Sequence, residues 1–275
     1  MRHAIKYKTK LKQKRGEGVG KDYIPWIKAG EFSGIGNSTR VLGLKTGREH
    51  HFHSNFEASL FYIFDLDDDI EDIREQFPLL DIELAKELAE EAGIRYPSNT
   101  NDDNHVLTSD YFITYKDGNE IALTIKYLKD ITKRQLQLFE IERQYWKGKG
   151  IDWKIITERE MPSRELLLNY KDIHSALRGF NAEDNSEEWI QRIIVSVLEY
   201  YEDNSNLSIP KFSDIIDSEL NFTVGSTLRF IKVLIAKGLI TTDLTEPLTS
   251  SKRKVKDLNF KITNAKDLRK SDLAA

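Results

Sequence analysis

The 275-residue chain has no cysteine. Disulfides and thiolate metal centres are therefore excluded, and the reducing cytoplasm is the natural compartment. It has no apolar run near the roughly 18 residues that a membrane span needs, so it is expected to be no membrane protein. The basic start M-R-H-A-I-K-Y-K-T-K-L-K-Q-K-R is followed by no apolar stretch of the kind a secretory signal requires. Internal repeats are absent, and the one biased segment is the acidic patch Asp65–Asp72. What remains, 39% hydrophobic and 31% charged residues, is the composition of a soluble globular protein, long enough for two ordinary domains.

The net charge of −4 conceals an asymmetry. Residues 1–50 carry 12 Lys and Arg against 4 Asp and Glu, whereas residues 51–100 carry 3 against 13. Residues 251–275 return to 8 against 3. Basic ends around an acidic centre suit a protein whose termini meet phosphate while its middle holds cations. A merely solvated tail would explain the N-terminal charge as well.

The opening to about Asp22 reads as extended, since Gly16, Gly18 and Gly20 oppose a helix. Tyr23–Lys28 and Thr39–Phe52 alternate like strands. Ser54-Asn55-Phe56-Glu57 has the form of a capping box, and Phe56, Leu60 and Phe64 give the following helix one apolar face. After the acidic patch come a short extended piece ending at Phe77-Pro78 and a helix over Asp81–Ala92, stopped by Gly93. Val106–Leu128 reads as a hairpin around Asp117-Gly118. A polar helix over Thr132–Lys147 and a short strand over Ile151–Thr157 follow. This order implies an α/β fold, a mixed sheet with helices on its faces. Beyond a helix over Ser163–Leu177 and a linker near Gly179–Asn185, helices are expected over 187–201, 211–219 and 224–237. Strands over Leu239–Thr245 and Val255–Ile262, with Ser250–Lys254 between them, complete a winged-helix-like pattern. Such a module serves DNA or protein docking equally.

The hairpin carries the chemistry. With Asp117-Gly118-Asn119 as a three-residue loop, Lys116 faces Glu120 and Asp110 faces Lys126, with Thr124 on the same face as Lys126. A two-residue loop would separate the pair. A carboxylate opposite a lysine, approached by a second carboxylate from a helix, suits phosphodiester hydrolysis with a magnesium ion bound by Asp110 and Glu57. Spacing alone leaves plainer readings open. Glu57 serves equally as the third residue of a capped helix, and Asp110 with Lys126 as an ordinary cross-strand ion pair. His50, His51 and His53 lack a fourth partner at metal-binding spacing, so strand packing or phosphate contact explains them better than zinc. Tyr127, Tyr145, Trp146 and Trp153 could stack bases, but such aromatics more often fill a core.

At these residues the chain resembles the TnsA family, the endonuclease subunits of two-subunit cut-and-paste transposases. The resemblance runs through Gly20–Trp26 (G-K-D-Y-I-P-W) and Lys45–His51 (K-T-G-R-E-H-H), and is strongest in Asp72–Leu80 (D-I-R-E-Q-F-P-L-L). It resumes at Ser109–Tyr111, Ile141–Trp146 and Ile155–Glu158, covering residues 15–165 well and the remainder in outline.

The resemblance implies a restriction-endonuclease-like catalytic domain over 1–165 and a winged-helix-like partner- or DNA-binding domain over 166–275. Its activity would be cleavage of the 5′ strands of double-stranded DNA at transposon ends. Magnesium would be the cofactor, with manganese able to stand in. A DDE-type, TnsB-like transposase would cut and join the 3′ strands, and a TnsC-like ATPase would regulate. Glu57, Asp110 and Lys126 match the functional positions, and Glu142 matches a further acidic one that a polar helix face would also explain. Position 124 departs from the pattern, being Thr where these enzymes carry Gln or an acid as a metal ligand. That puts a second metal position in doubt, although the Ile125 carbonyl could serve. A stand-alone restriction or repair nuclease, and a non-catalytic DNA-end-bridging subunit, are the alternatives.

Overall fold

A computed structural model describes residues 5–31, 38–98, 104–182, 186–261 and 273 of the chain. Residues 2–4 of the basic tail, 183–185 of the expected linker and Ile262 of the last expected strand lie outside them. The chain divides into two units, Met1–Met161 and Pro162–Ala275.

The first unit is built on a four-stranded sheet in the order β3 (Ile70–Pro78), β4 (Thr108–Tyr115), β5 (Glu120–Ile125) and β6 (Asp152–Ile156). The first three run antiparallel, and β6 lies parallel to β5. That last pairing requires a crossover, which α4 (Lys133–Gly148) supplies. Alternation along the strands sends Ile113, Ile121, Leu123 and Ile125 to a core with Phe56, Leu60 and Phe61 of α2 (Asn55–Leu66). Phe112 and Ala122 face the other way, packing with Ile141, Tyr145 and Trp146 of α4 and Ala85 of α3 (Ile82–Glu91). The sheet is thus covered on both faces, as the alternating pattern implies.

Two details of this unit's N-terminal part depart from the sequence reading. Tyr7–Lys12 forms a short helix, α1, rather than an extended tail. It ends before Gly16, so the glycines do not oppose it. Two of its neighbourhood's cations are structural. Arg15 makes a two-pronged pair with Glu31 at 2.7 and 2.8 Å and donates to the Trp26 carbonyl, while Lys10 lies over the Trp26 ring. Tyr23–Lys28 is not a strand, whereas Thr39–Phe52 gives a separate hairpin of β1 (Thr39–Leu42) and β2 (Glu49–Phe52).

That hairpin is tied to β3 by a buried polar knot. Glu75, fully enclosed, accepts from both terminal nitrogens of Arg48 (2.6 and 2.8 Å) and from the His51 amide (3.0 Å), with His50 Nδ1 at 2.7 Å. Burial alone would raise its carboxyl, but His50 and Arg48 outweigh that and hold it well below the carboxylate range. Because the folded pKa is depressed, the knot stabilises the fold above the unfolded Glu value of about 4.3, and this contribution is lost as pH falls below it. Glu75→Gln strands the Arg48 charge in the interior, and such broken buried pairs cost about 3–5 kcal/mol. Urea unfolding at neutral pH checks this, and a midpoint equal to that of the native chain would refute it.

The second unit comprises α5 (Arg164–Ala182), α6 (Glu187–Tyr201), α7 (Ile209–Glu219) and α8 (Ser226–Ala236). A hairpin of only two residues per strand follows, β7 (Ile240–Thr241) with β8 (Asn259–Phe260). A 3₁₀ turn occupies Val255–Asp257, inside the segment read as strand. In the basic segment between the strands, Arg253 is buried and Lys252 exposed.

Candidate active site

Where β3 and β5 end and β4 begins, a cleft of about 500 Å³ brings Glu57, Asp110, Thr124, Ile125, Lys126 and Glu142 together. The helix cap positions the first of these. Ser54 Oγ accepts the Glu57 amide (3.1 Å) to start α2, and the Glu57 carboxylate accepts the Ser54 hydroxyl (2.8 Å) and the His53 amide (3.0 Å). Capping and cleft lining are therefore roles of one side chain. The Tyr111 hydroxyl donates to the Glu57 carbonyl at 2.8 Å, fastening α2 to β4 one residue from Asp110. Burial raises the Glu57 carboxyl, against the donors and the Lys126 charge that lower it.

The hairpin register differs from expectation by one pair. The loop is Lys116-Asp117-Gly118, closed by Tyr115 N–H to the Asn119 carbonyl, with Gly118 in the left-handed region at φ +85°. Tyr111 then faces Leu123, so the next pair along sets Asp110 across from Thr124 rather than Lys126. Moving the partner by two residues preserves the face, which is why Lys126 still joins the cleft from just beyond β5. Asp110 accepts the Ile125 amide at 2.7 Å and the Gln76 amide at 3.1 Å. Burial, and next the charge of Glu57, push its carboxyl up to about 7.

Thr124 and Glu142 form a second layer. Glu142 Oε1 accepts the hydroxyls of Thr124 and Ser109, each at 2.5 Å. Those oxygens in turn accept the indoles of Trp153 (3.3 Å) and Trp146 (2.8 Å). Burial pushes the Glu142 carboxyl up to about 7 against the pull of its hydroxyl donors. The Thr124 proton is thus committed to Glu142, Trp146 is a core residue with a polar handle, and Trp153 is half-buried against the same core.

The three histidines diverge. His50 lies between Thr46 and Glu75, and His51 Nδ1 accepts the Ala29 amide. His53 lines the cleft, its buried Nε2 without a hydrogen-bond partner among the described residues. Gln76, buried between the acids, was not singled out from sequence. A glutamine in a strand has no chemical signature of its own, and its presence in the D-I-R-E-Q-F-P-L-L motif was the one available signal.

The donor set is one of hard oxygens. Among the described residues no three His, Asp or Glu side chains gather as a ready cation cluster, but two mutually opposed carboxylates beside a backbone edge fit magnesium, which keeps several waters of its own.

The fold and this cleft define a two-unit α/β protein whose first unit carries an acid-and-lysine site at the strand ends. The chain matches the family described as TnsA-like endonuclease N terminal over residues 67–158 and that described as TnsA endonuclease C terminal over residues 163–244. Asp110, Lys126 and Glu142 fall within the first match, and Glu57 precedes it. It is also 32% identical over 256 residues to the transposon Tn7 transposition protein TnsA of Escherichia coli, covering 90% of this chain and 89% of that protein. The chain belongs to the TnsA family of transposase endonucleases.

Proposed function

We propose that the chain is a magnesium-dependent endonuclease that hydrolyses the 5′, non-transferred strands at transposon ends, on a restriction-endonuclease-like first unit. The observation carrying this is the convergence of Glu57, Asp110 and Lys126 in one cleft at the strand ends.

Glu57 and Asp110 would hold the ion, with the Ile125 carbonyl as a third oxygen. When bound, magnesium supplies an acidified water and offsets charge on the phosphate. The protein's own part is positional and electrostatic. The Ile125 amide aims the Asp110 carboxylate, the helix cap aims Glu57, and Lys126 offers a positive charge where the transition state gathers negative charge. Glu142 and Thr124 brace the strand end behind them.

The second unit is proposed as a winged-helix-like docking module for a TnsC-like ATPase, while a DDE-type, TnsB-like transposase acts on the 3′ strands. The acidic and apolar content of Glu187–Glu219 favours docking over DNA reading, since it leaves the short basic hairpin segment, with Lys252 exposed and Arg253 enclosed, as the part suited to phosphate.

The test is strand-resolved cleavage of transposon-end DNA by the chain, with and without partner transposase and magnesium. Nicking of the 5′ strand that requires both is expected. Metal-saturated chain that cuts nothing alongside an active partner would instead establish a bridging subunit, and cutting without any partner a stand-alone nuclease.

A further inference from the structure

Gln76 is one of three non-glycine residues in the described chain with positive φ, at +48°. Left-handed backbone is strained for a glutamine and persists only where the surroundings enforce it, and such strain gathers at functional sites. Here the surroundings do enforce it. The Gln76 carbonyl accepts the Trp26 amide at 3.3 Å, and the preceding carbonyl, of Glu75, accepts the Tyr23 hydroxyl at 3.0 Å. The twist changes which face the strand presents. Glu75 points into the knot with Arg48, while Phe77 leaves that side and stacks on Phe112, ring centres 4.3 Å apart, in the core beneath α4. Between them the Gln76 side chain is delivered into the cleft, where its amide donates to Asp110 Oδ1 at 3.1 Å and its carbonyl oxygen accepts the Thr108 hydroxyl at 3.3 Å. The same amide bears on Glu57.

We infer that Gln76 is a positioning residue of the cation site: its carboxamide, delivered by the strained backbone, holds the Asp110 carboxylate in place beside Glu57 so that a divalent ion meets a formed pair. Two like charges in a partly enclosed cleft otherwise repel, and a neutral amide with two donors offsets this without adding a competing charge. With the Thr124 hydroxyl donated to Glu142, the neutral side chain that reaches Asp110 is Gln76. This inference rests on the reading of Glu57 and Asp110 as metal ligands.

The test is calorimetric titration of the full-length, DNA-free chain with Mn²⁺ alone, beside thermal melts in chelator. Gln76→Gly removes the amide and relieves the backbone together. It is expected to weaken Mn²⁺ binding roughly 10- to 100-fold, the range for outer-shell partners of a metal site, without lowering the melting temperature. Gln76→Met, which keeps the length of the side chain but offers no N–H to the carboxylate, should weaken Mn²⁺ binding to the same extent. Native-like Mn²⁺ affinity in the glycine variant would overturn the positioning role while sparing the metal site. So would loss of affinity in both variants with a matching fall in melting temperature, which marks a structural residue. A native chain that takes up no Mn²⁺ would instead bring down the reading of the site and this inference with it.

Discussion

Asp110→Asn should yield a chain that melts at a higher temperature than the native one in chelator at pH 7.5, yet cleaves DNA more slowly by at least the roughly hundredfold that bounds outer-shell losses. The two effects have one cause. In the native fold the Asp110 carboxyl is pushed from an ordinary 3.8 up to about 7, by burial and then by Glu57. A raised acid means that, between those pH values, the folded state holds a proton that the unfolded state has released. The fold therefore loses stability as pH rises from about 4 to 7, and the full penalty persists above 7. Asparagine removes the charge while keeping an oxygen to accept the Ile125 amide. The melting-temperature advantage of the variant should grow from pH 4 to 7 and then level off. Magnesium should reverse the order, because an ion bound by the native fold alone stabilises it by mass action. Melting curves that coincide across this range, or a variant that cuts at the native rate, would remove Asp110 from the site.

Much of this site was legible from short-range chemistry. The S-x-x-E spacing located the cap and with it Glu57, because a cap needs only four consecutive residues to be right. The Asp-Gly turn located the hairpin, and alternation put Asp110, Thr124 and Lys126 on one face. The turn could not be read to the residue. Whether the loop begins at Lys116 or Asp117 is decided by which residue takes the left-handed conformation; Gly118 does so, and the partner of Asp110 becomes Thr124. Hidden altogether was what depends on contacts distant in sequence. Nothing local marks Arg15 as the buried partner of Glu31, or Glu75 as the anchor of Arg48 and His50. Glycines at 16, 18 and 20 make the start read as extended, but Tyr7 and Lys10 pack on Trp26, and that burial sustains a six-residue helix which intrinsic propensity would not. Gln76 belongs with these, since its placement follows from a backbone twist that the flanking Tyr23 and Trp26 contacts hold.

Lys126→Ala should separate chemistry from metal binding. Lys126 sits half-buried immediately after β5, its amide donating to the Ile156 carbonyl at 3.1 Å, so the backbone at this point is fixed by the ladder to β6 whatever the side chain. The ammonium acts on the cleft through charge, lowering the carboxyls of both Glu57 and Asp110. It donates protons and has no lone pair while charged, so it cannot itself be a ligand. Its removal takes nothing from the oxygen set, and by leaving the carboxylates less neutralised it should hold Mn²⁺ as tightly as in the native chain, or tighter. The loss falls on the step in which the phosphate gathers charge, where removing one preorganised donor costs about 10²–10³ in rate. Single-turnover cleavage at saturating magnesium should therefore drop by that factor, and raising the metal concentration should not recover it. Lys126→Met keeps the length of the side chain along the cleft wall and should fail equally, which separates the charge from the packing of the stem. A rate recovered by excess magnesium would show that the lysine serves metal binding and not the transition state, and a methionine variant at native rate would show that only its stem matters.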